Sequence, residues 1–339
     1  MIIKKILYST LFLFSLLSIF GCADIFLPSD KENSPVQNFE LLWDDFDKTY
    51  SFFEYKKINW DSLHAVYRPQ INDQTTETQL FEICSSMLDH LKDGHVNIYS
   101  TLKTYSYTGW YDKYPTNYLS NNITKYVKNY KISGALQYGN INDSIGYIYI
   151  PSFSNNKNYS AIDNIIQQLN TCKGIIIDIR NNGGGSDINC ITIASRFMKE
   201  KKLFRYTQWR NGPKHSDFSE KFPDYIEPDG SFQFTKPIAL LTNRKCFSSA
   251  EGFLLMMKTM PYVTVIGDTS GGGSANPIFR ELPNGWVYRI PRWIEYSSAM
   301  TTFEGTGISP DIPVWINAED SLAGKDTILE TAIQFLKEK

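Results

Sequence analysis

A serine at the start of a predicted helix is the first residue whose position could support chemistry. In the segment LTNRKCFSSAE, residues 241–251, an apolar strand ends, a short loop follows, and Ser248 lies at or just before the first helical turn. A hydroxyl at this place is exposed, and the amide of Ser249 points along the positive end of the helix dipole. A serine that merely caps the helix, with Glu251 completing a capping box, fits the same pattern.

A glycine-rich turn is the second such feature. The segment GIIIDIRNNGGG, residues 174–185, is a buried apolar strand that runs into three consecutive glycines and then a predicted helix. Consecutive glycines cost backbone entropy, and they allow main-chain N–H groups to approach a ligand closely, as an oxyanion hole requires. A tight strand-to-helix turn without any ligand remains the alternative.

The third feature is His95, in the turn LKDGHV that directly follows a predicted helix. A lone histidine is more often structural than catalytic. A serine nucleophile, however, needs a base within hydrogen-bond reach, and that base needs an orienting acceptor. Only four histidines are present to supply the base.

The hydrophobic pattern indicates which elements must position these residues. Apolar residues at helical spacing predict helices from Asn38 to Tyr50 and from Thr78 to Lys92, and residues 98–140 predict short strands and loops. Beyond them, strands are predicted at 144–150, 174–179, 237–242, 262–266 and 286–290, and helices at 161–169, 187–199, 249–260 and 326–337. Strands that alternate with helices predict an α/β core.

Taken in order, the motifs resemble a known family. A D-G-H turn is followed by GYIYIPSF, GIIIDIRNNGGG, LTNRKCFSSAE, VIGDTSGGGS and EGTGISPDIPV. This succession, over about residues 36–335, is similar to the tail-specific and C-terminal-processing serine peptidases, and most of all to their tricorn-like branch. The resemblance implies a core related to the crotonase fold with a small helical subdomain beside it.

The resemblance also assigns roles to residues. It implies that Ser248 is the nucleophile, that His95 is the base, and that Glu304 orients the base. It further implies an oxyanion hole made by the amide of Ser249 and one amide of the glycine turn, for which Gly184 is our choice among Gly183, Gly184 and Gly185. Two other acidic residues are weaker candidates for orienting the base: Asp93 is too close in sequence to reach the far imidazole nitrogen, and Glu251 suits a capping box.

Two departures from the family pattern qualify this assignment. Members with a Ser-Lys dyad carry a lysine after the nucleophile helix, whereas residues 269–274 read TSGGGS, so histidine must act as the base. Many members also insert a peptide-binding PDZ domain between the helical unit and the core. The segment 101–143 is too short for one, which leaves the mode of substrate recognition open.

The first 22 residues read as a signal peptide. Lys4 and Lys5 precede an apolar run that ends at Gly21-Cys22, and this run resembles a bacterial lipobox whose Cys22 would take the lipid. An uncleaved N-terminal anchor is the alternative. Either reading predicts an exported, periplasmic or cell-surface protein tethered to the membrane.

Composition narrows the function classes. The 339 residues carry a formal net charge of −2 at pH 7, so the chain lacks the basic excess needed to bind nucleic acid. Four cysteines besides Cys22 occur without paired spacing, so we expect buried core residues rather than disulfides, and we expect neither a metal site nor a cofactor.

The sequence thus predicts an exported, lipid-anchored serine endopeptidase that acts on peptides or on unfolded and C-terminal protein segments. A catalytically inactive peptide- or glycan-binding lipoprotein on the same fold is the alternative, and a crotonase-type thioester enzyme is disfavoured because acyl-CoA is cytoplasmic. The predicted parts are a lipoprotein signal peptide (1–22), a linker (23–35), an N-terminal helical subdomain (36–100), an irregular connecting segment (101–143) and the peptidase core (144–339).

Overall fold

The computed structural model describes residues 32–119 and 123–339. The predicted signal peptide, Cys22 and most of the linker lie outside this range. The α-helices of the described residues are α1 (Pro35–Thr49), α2 (Phe53–Lys56), α3 (Trp60–Tyr67), α4 (Glu77–Asp89), α5 (Ile123–Tyr126), α6 (Ile162–Gln168), α7 (Asp187–Ala194), α8 (Ser249–Lys258), α9 (Ala318–Leu322) and α10 (Thr327–Lys337). None of the helices in these two ranges is long and apolar enough to cross a membrane.

The strands form three sheets. They are β1 (Asn97–Tyr99), β2 (Thr104–Ser106), β3 (Lys128–Ser133), β4 (Leu136–Asn142), β5 (Ile145–Tyr149), β6 (Gly174–Asp178), β7 (Lys202–Trp209), β8 (Phe222–Ile226), β9 (Ile238–Thr242), β10 (Val263–Gly267), β11 (Pro277–Glu281), β12 (Val287–Pro291), β13 (Trp293–Ser297) and β14 (Ile312–Pro313). The fold class is therefore mixed α/β, as the alternating pattern predicts.

A seven-stranded sheet with the order β14-β10-β9-β6-β5-β4-β3 forms the centre of the molecule. Within this sheet, neighbouring strands pair in parallel along β14-β10-β9-β6-β5. The strands β4 and β3 then extend the sheet in antiparallel pairing. Every residue of β6 and β9 is buried, because α6, α7 and α8 cover one face and α10 covers the other. Parallel strands covered on both faces are continuous apolar runs, which is the pattern their sequences show.

A buried charge network fixes the end of β6 just before the glycine turn. The guanidinium of Arg180 binds Asp178 at 2.7 Å and Asp326 at 2.8 Å, and the Tyr147 hydroxyl also donates to Asp178. Asp326 is the N-cap of α10, so this network ties the glycine turn to the helix on the far face of the sheet.

The N-terminal helices do not have a core of their own. They pack on a second sheet, β11-β12-β1-β2, in which β11 and β12 of residues 277–291 lie beside the early strands β1 and β2. The resulting hydrophobic cluster, the N-terminal core, joins residues of 39–98 with residues of 275–294. A contiguous subdomain at 36–100 is thus incomplete, because the strands that close it come from much later in the chain.

Two other parts differ from the sequence-based expectation. The connecting segment, predicted as short strands and loops, extends the central sheet with β3 and β4 instead of lying outside the core, and the third sheet, β13-β7-β8, was not predicted. Weak alternation in these half-exposed strands explains why the sequence pattern does not reveal them. The prediction for the cysteines is confirmed: those at 84, 172, 190 and 246 are free and buried.

Candidate active site

Ser248 lies at the junction between β9 and α8 in a strained backbone conformation. Its φ is 59° and its ψ is −129°, a region that residues other than glycine seldom adopt. A sharp strand-to-helix turn of this kind presents the nucleophilic serine in α/β-hydrolases. Ser248 and Glu251 form the capping box at the start of α8, and Ser248 Oγ also lies 3.0 Å from His95 Nε2. The hydroxyl of Ser248 therefore does more than cap its helix, because it is also paired with an imidazole.

The carboxylate of Glu251 holds this turn in place. It accepts hydrogen bonds from the Ser248 amide (3.0 Å), the Ser270 hydroxyl (2.6 Å) and the amides of Gly272 and Gly273 (2.7 Å each). Burial raises the pKa of Glu251 to about 7, while these four donors stabilise its charged form. Glu251 thus has the structural role that the capping pattern indicates, and it also fixes the loop of residues 270–274, called here the glycine loop.

His95 is buried against aromatic rings. Its ring centroid lies 4.6 Å from that of Phe247, which in turn stacks at 4.1 Å on Trp110. Burial lowers the pKa of His95 to about 4, against the charge of Asp93, which raises it. A histidine that stays neutral at neutral pH can accept a proton from the serine hydroxyl, as a general base must.

Trp110 is a part of the site that sequence reasoning missed. It belongs to the connecting segment, and the Arg244 guanidinium holds it by donating to its carbonyl at 2.6 Å. Its indole lies so close to Gly94 and Gly271 that a β-carbon at either position would come within 3 Å of the ring. The glycine of the D-G-H turn is the one sequence signal that points to such a close neighbour.

Within the described residues, the Glu304 carboxylate makes no hydrogen bond to the imidazole of His95. Its carboxylate accepts hydrogen bonds from the amide and the hydroxyl of Ser274 and pairs with Lys56 at 3.0 Å. His95 Nδ1 is buried and has no hydrogen-bond partner in the described residues. The direct hydrogen bond from His95 to Glu304 that the family resemblance implies is therefore absent from this structure.

A buried ionic cluster instead links Glu304 to the base. Lys56 Nζ lies 3.2 Å from Asp93 and 3.0 Å from Glu304, and Tyr50 also donates to Asp93 at 2.8 Å. Burial would raise the pKa of Asp93, but Lys56 and His95 hold it below its usual value, whereas burial raises the pKa of Glu304. Asp93 also accepts a hydrogen bond from the His95 main-chain amide at 2.8 Å, so the cluster fixes the backbone of the base.

The glycine turn offers a different amide from the one we selected. The Gly184 N–H donates to Asn182 Oδ1 at 2.9 Å, so it points back into its own turn. Gly185 forms a parallel β-bridge with Phe153. The hydrogen bonds of this bridge are made by Gly184 and Ser186, so the N–H and C=O of Gly185 itself point away from Phe153. That side is the one that carries α8, because the Ser249 hydroxyl donates to the Gly185 carbonyl at 3.0 Å.

A cleft of about 500 Å³ opens beside Ser248. Ser248 and Ser249 line it together with Gly185, and Phe279 and Arg289 of the second sheet form another part of its wall. A hydroxyl paired with a neutral imidazole, next to main-chain amides and an open cleft, is an arrangement suited to acyl transfer.

Comparison with known proteins agrees with this geometry. The sequence model described as peptidase family S41 matches residues 144–314, half of the chain, and that of the tricorn protease C1 domain matches residues 32–89. The chain belongs to peptidase family S41. S41 is a family of serine-type peptidases, and its matched region contains Ser248, the glycine turn and Glu304.

Individual relatives extend this result. A crystal structure of a candidate peptidase from Parabacteroides merdae ATCC 43184 shares 39% identity, with a TM-score of 0.84, and the match covers 90% of this chain and 97% of that one. The chloroplastic carboxyl-terminal-processing peptidase 2 of Arabidopsis thaliana is 28% identical over 52% of this chain and 33% of its own length. The carboxy-terminal processing protease CtpA of Bacillus subtilis is 27% identical over 51% and 36%. The matched part spans well under half of these two curated relatives.

We predict that the imidazole of His95 titrates near pH 4 rather than near its ordinary 6.5, because burial disfavours the charged ring. The neutral ring is the active base, so kcat/KM should rise through this low pKa and reach its plateau below pH 6.5. NMR titration of the imidazole Cε1–H signals, assigned with a His95→Gln variant, measures the pKa.

Asp93→Asn provides the internal check on this prediction. The variant removes the negative charge that raises the pKa of His95, so the imidazole should titrate lower still. A wild-type midpoint near 6.5, or an upward shift in Asp93→Asn, would contradict the prediction.

Proposed function

We propose that this S41 member is an exported, lipid-anchored serine endopeptidase that hydrolyses peptide bonds in peptides or in unfolded and C-terminal protein segments. The observation that carries the proposal is the 3.0 Å contact between Ser248 Oγ and His95 Nε2 in a strained turn beside an open cleft. An intact pair of this kind favours an enzyme over the alternative of an inactive peptide- or glycan-binding lipoprotein. The fold we propose for the core is crotonase-related, with the N-terminal helices as a cap.

The proposed reaction proceeds through an acyl-enzyme. Ser248 Oγ attacks the carbonyl carbon of the peptide bond while its proton passes to His95 Nε2. The C–N bond then breaks, and His95 gives the proton to the leaving amine. Water repeats the sequence on the ester and releases the acid. The amides of Ser249 and Gly185 are suited to stabilise the oxyanion, because neither N–H makes a hydrogen bond within the described residues.

Glu304 is proposed to position His95 indirectly, through Lys56 and Asp93. Its carboxylate and Asp93 share Lys56, and Asp93 binds the backbone of His95. The charge of Asp93 favours the imidazolium that forms during the reaction, and Glu304 balances Lys56, whose charge disfavours it. Glu304 also holds Ser274 at the end of the glycine loop, which Glu251 connects to Ser248.

Export and lipid anchoring rest on the sequence of residues 1–22, which ends at Cys22. The carboxy-terminal-processing relatives agree with a peptidase that acts on protein ends. Because the connecting segment is too short for a PDZ domain and packs on the site through Trp110, we propose that the cleft itself selects the substrate.

Ser248→Ala should abolish both peptide hydrolysis and covalent labelling by a fluorophosphonate, since loss of a serine nucleophile removes many orders of magnitude of rate. Ser249→Ala is the matched control. Its hydroxyl binds the Gly185 carbonyl and only its amide is assigned a role, so this variant should retain much of the activity. Labelling that survives in Ser248→Ala and is lost in Ser249→Ala would move the nucleophile by one residue.

Glu304→Gln should lower kcat by about 10²- to 10⁴-fold, because a neutral amide cannot balance the charge of Lys56, which disfavours the imidazolium. The exposed Glu319→Gln, on α9, controls for the change of charge. The midpoint of the His95 titration should move in Glu304→Gln as well, which a purely structural role would not produce. Near-normal kcat in a folded Glu304→Gln variant would remove this residue from the proposal.

Cys22→Ser should release the protein from the membrane fraction without altering kcat or KM, because the lipid and the active site are separate. Fractionation of cells, followed by assay of both pools, measures this. Membrane association that persists in the variant, with residues 1–22 still attached, would support the uncleaved anchor instead.

A further inference from the structure

The part of the cleft wall that the second sheet forms carries a half-buried arginine, Arg289. In β12, Tyr288 and Ile290 point into the N-terminal core, so Arg289 between them points to the other side. On that side Arg289 lies directly across from Asn97 of β1 and from Phe279 of β11. Arg289 and Phe279 both line the cleft that contains Ser248.

No carboxylate pairs with Arg289 in the described residues. Its Nη1 donates to Asn97 at 3.0 Å, its guanidinium lies 5.6 Å from the Phe279 ring centroid, and its buried Nε has no hydrogen-bond partner. Other buried arginines of the described residues are fully engaged with the protein. Arg180 and Arg205 each bind two or more carboxylates, and Arg244 donates to main-chain carbonyls. Arg289 differs from them because it lines the cleft and a single side-chain amide is its hydrogen-bond partner within the described residues.

Another part of the cleft wall is acidic and would not bind an anionic group. Asp187 and Glu295 form another part of its wall, and together with Asp224 they surround the single guanidinium of Arg205. An anionic group of a substrate would be repelled there and attracted at Arg289. The charge on Arg289 also reaches the catalytic base, since it lowers the pKa of His95.

We propose that Arg289 binds a carboxylate of the substrate beside the scissile bond and thereby determines specificity. The inference rests on the proposed peptidase function and names the substrate class of that same site. A planar guanidinium with free donors matches a carboxylate in a bidentate geometry. Two sources can supply it, the C-terminal carboxylate of the chain being cleaved or an Asp or Glu side chain near the bond.

Binding has a consequence for the base. A carboxylate on Arg289 neutralises the charge that lowers the pKa of His95, so this pKa should be higher in the enzyme–substrate complex than in the free enzyme. The acid limb of kcat should then lie at higher pH than that of kcat/KM, and only for substrates that carry the carboxylate. A residue with a merely structural role would not separate the two profiles.

The test uses two matched pairs of peptides. One pair differs by a free or amidated C-terminus, and the other by Glu or Gln next to the cleaved bond. We expect kcat/KM to be about 10- to 100-fold higher for the carboxylate member of at least one pair, since hydrogen bonds to charged groups have this magnitude. The pair that shows the difference identifies the source.

Three variants complete the experiment. Arg289→Gln should bring the preference ratio close to one, and Arg289→Lys, which keeps the charge without the bidentate geometry, should give an intermediate ratio. Arg280→Gln is the matched control, because Arg280 neighbours the same wall in β11 but is paired in register with Tyr288 rather than with Arg289. It should leave the ratio unchanged.

Binding of the same peptides to Ser248→Ala, followed by fluorescence anisotropy, separates this inference from the proposed function. Tighter binding of a carboxylate peptide without any hydrolysis by the wild type would overturn the peptidase proposal but support the role of Arg289. Hydrolysis with equal kcat/KM and equal binding within both pairs, or an equal loss of preference in Arg280→Gln, would overturn the role of Arg289.

Discussion

The carboxylate of Glu251 is the interaction on which the site depends. Ser248 adopts a positive φ that its side chain disfavours, and a strained residue keeps such a conformation only when its surroundings enforce it. Glu251 enforces it by accepting the Ser248 amide and two amides of the glycine loop in one buried group. The strain has a chemical result, since the hydroxyl lies within hydrogen-bond distance of His95.

A second constraint joins parts of the chain that are remote in sequence. His95 lies on the N-terminal unit and Ser248 on the central α/β sheet, so their contact requires the two units to be fixed against each other. Lys56 achieves this electrostatically by pairing with Asp93 on its own side and with Glu304 on the other. The strands of residues 277–291 achieve it by packing, because they complete the N-terminal core although they follow the nucleophile in sequence.

The contacts around His95 also explain its expected reactivity. Phe247 and Trp110 exclude water from the imidazole, which favours the neutral base, and the nearby Asp93 partly offsets that effect. Trp110 comes from the connecting segment, so the part of the chain that is too short for a PDZ domain acts directly on the site. Its place is held by Arg244, in the loop that leads to the nucleophile.

The sequence alone determined the parallel core strands, the main helices, the positions of Ser248 and His95, and the burial of the cysteines. These follow from local causes, namely continuous apolar runs, helical spacing, and glycines at turns. Tertiary structure decided what depends on contacts between remote residues. The ion pairs of Lys56, the stacking of Trp110, the partner of Glu304 and the unpaired charge of Arg289 leave no local pattern. The proposal of the Gly185 amide rather than the Gly184 amide for the oxyanion hole also depends on tertiary structure. It follows from which side of the β-bridge between Phe153 and Gly185 faces Ser249. Spacing can place a residue near a turn, but only packing fixes the direction in which an N–H or a carboxylate points.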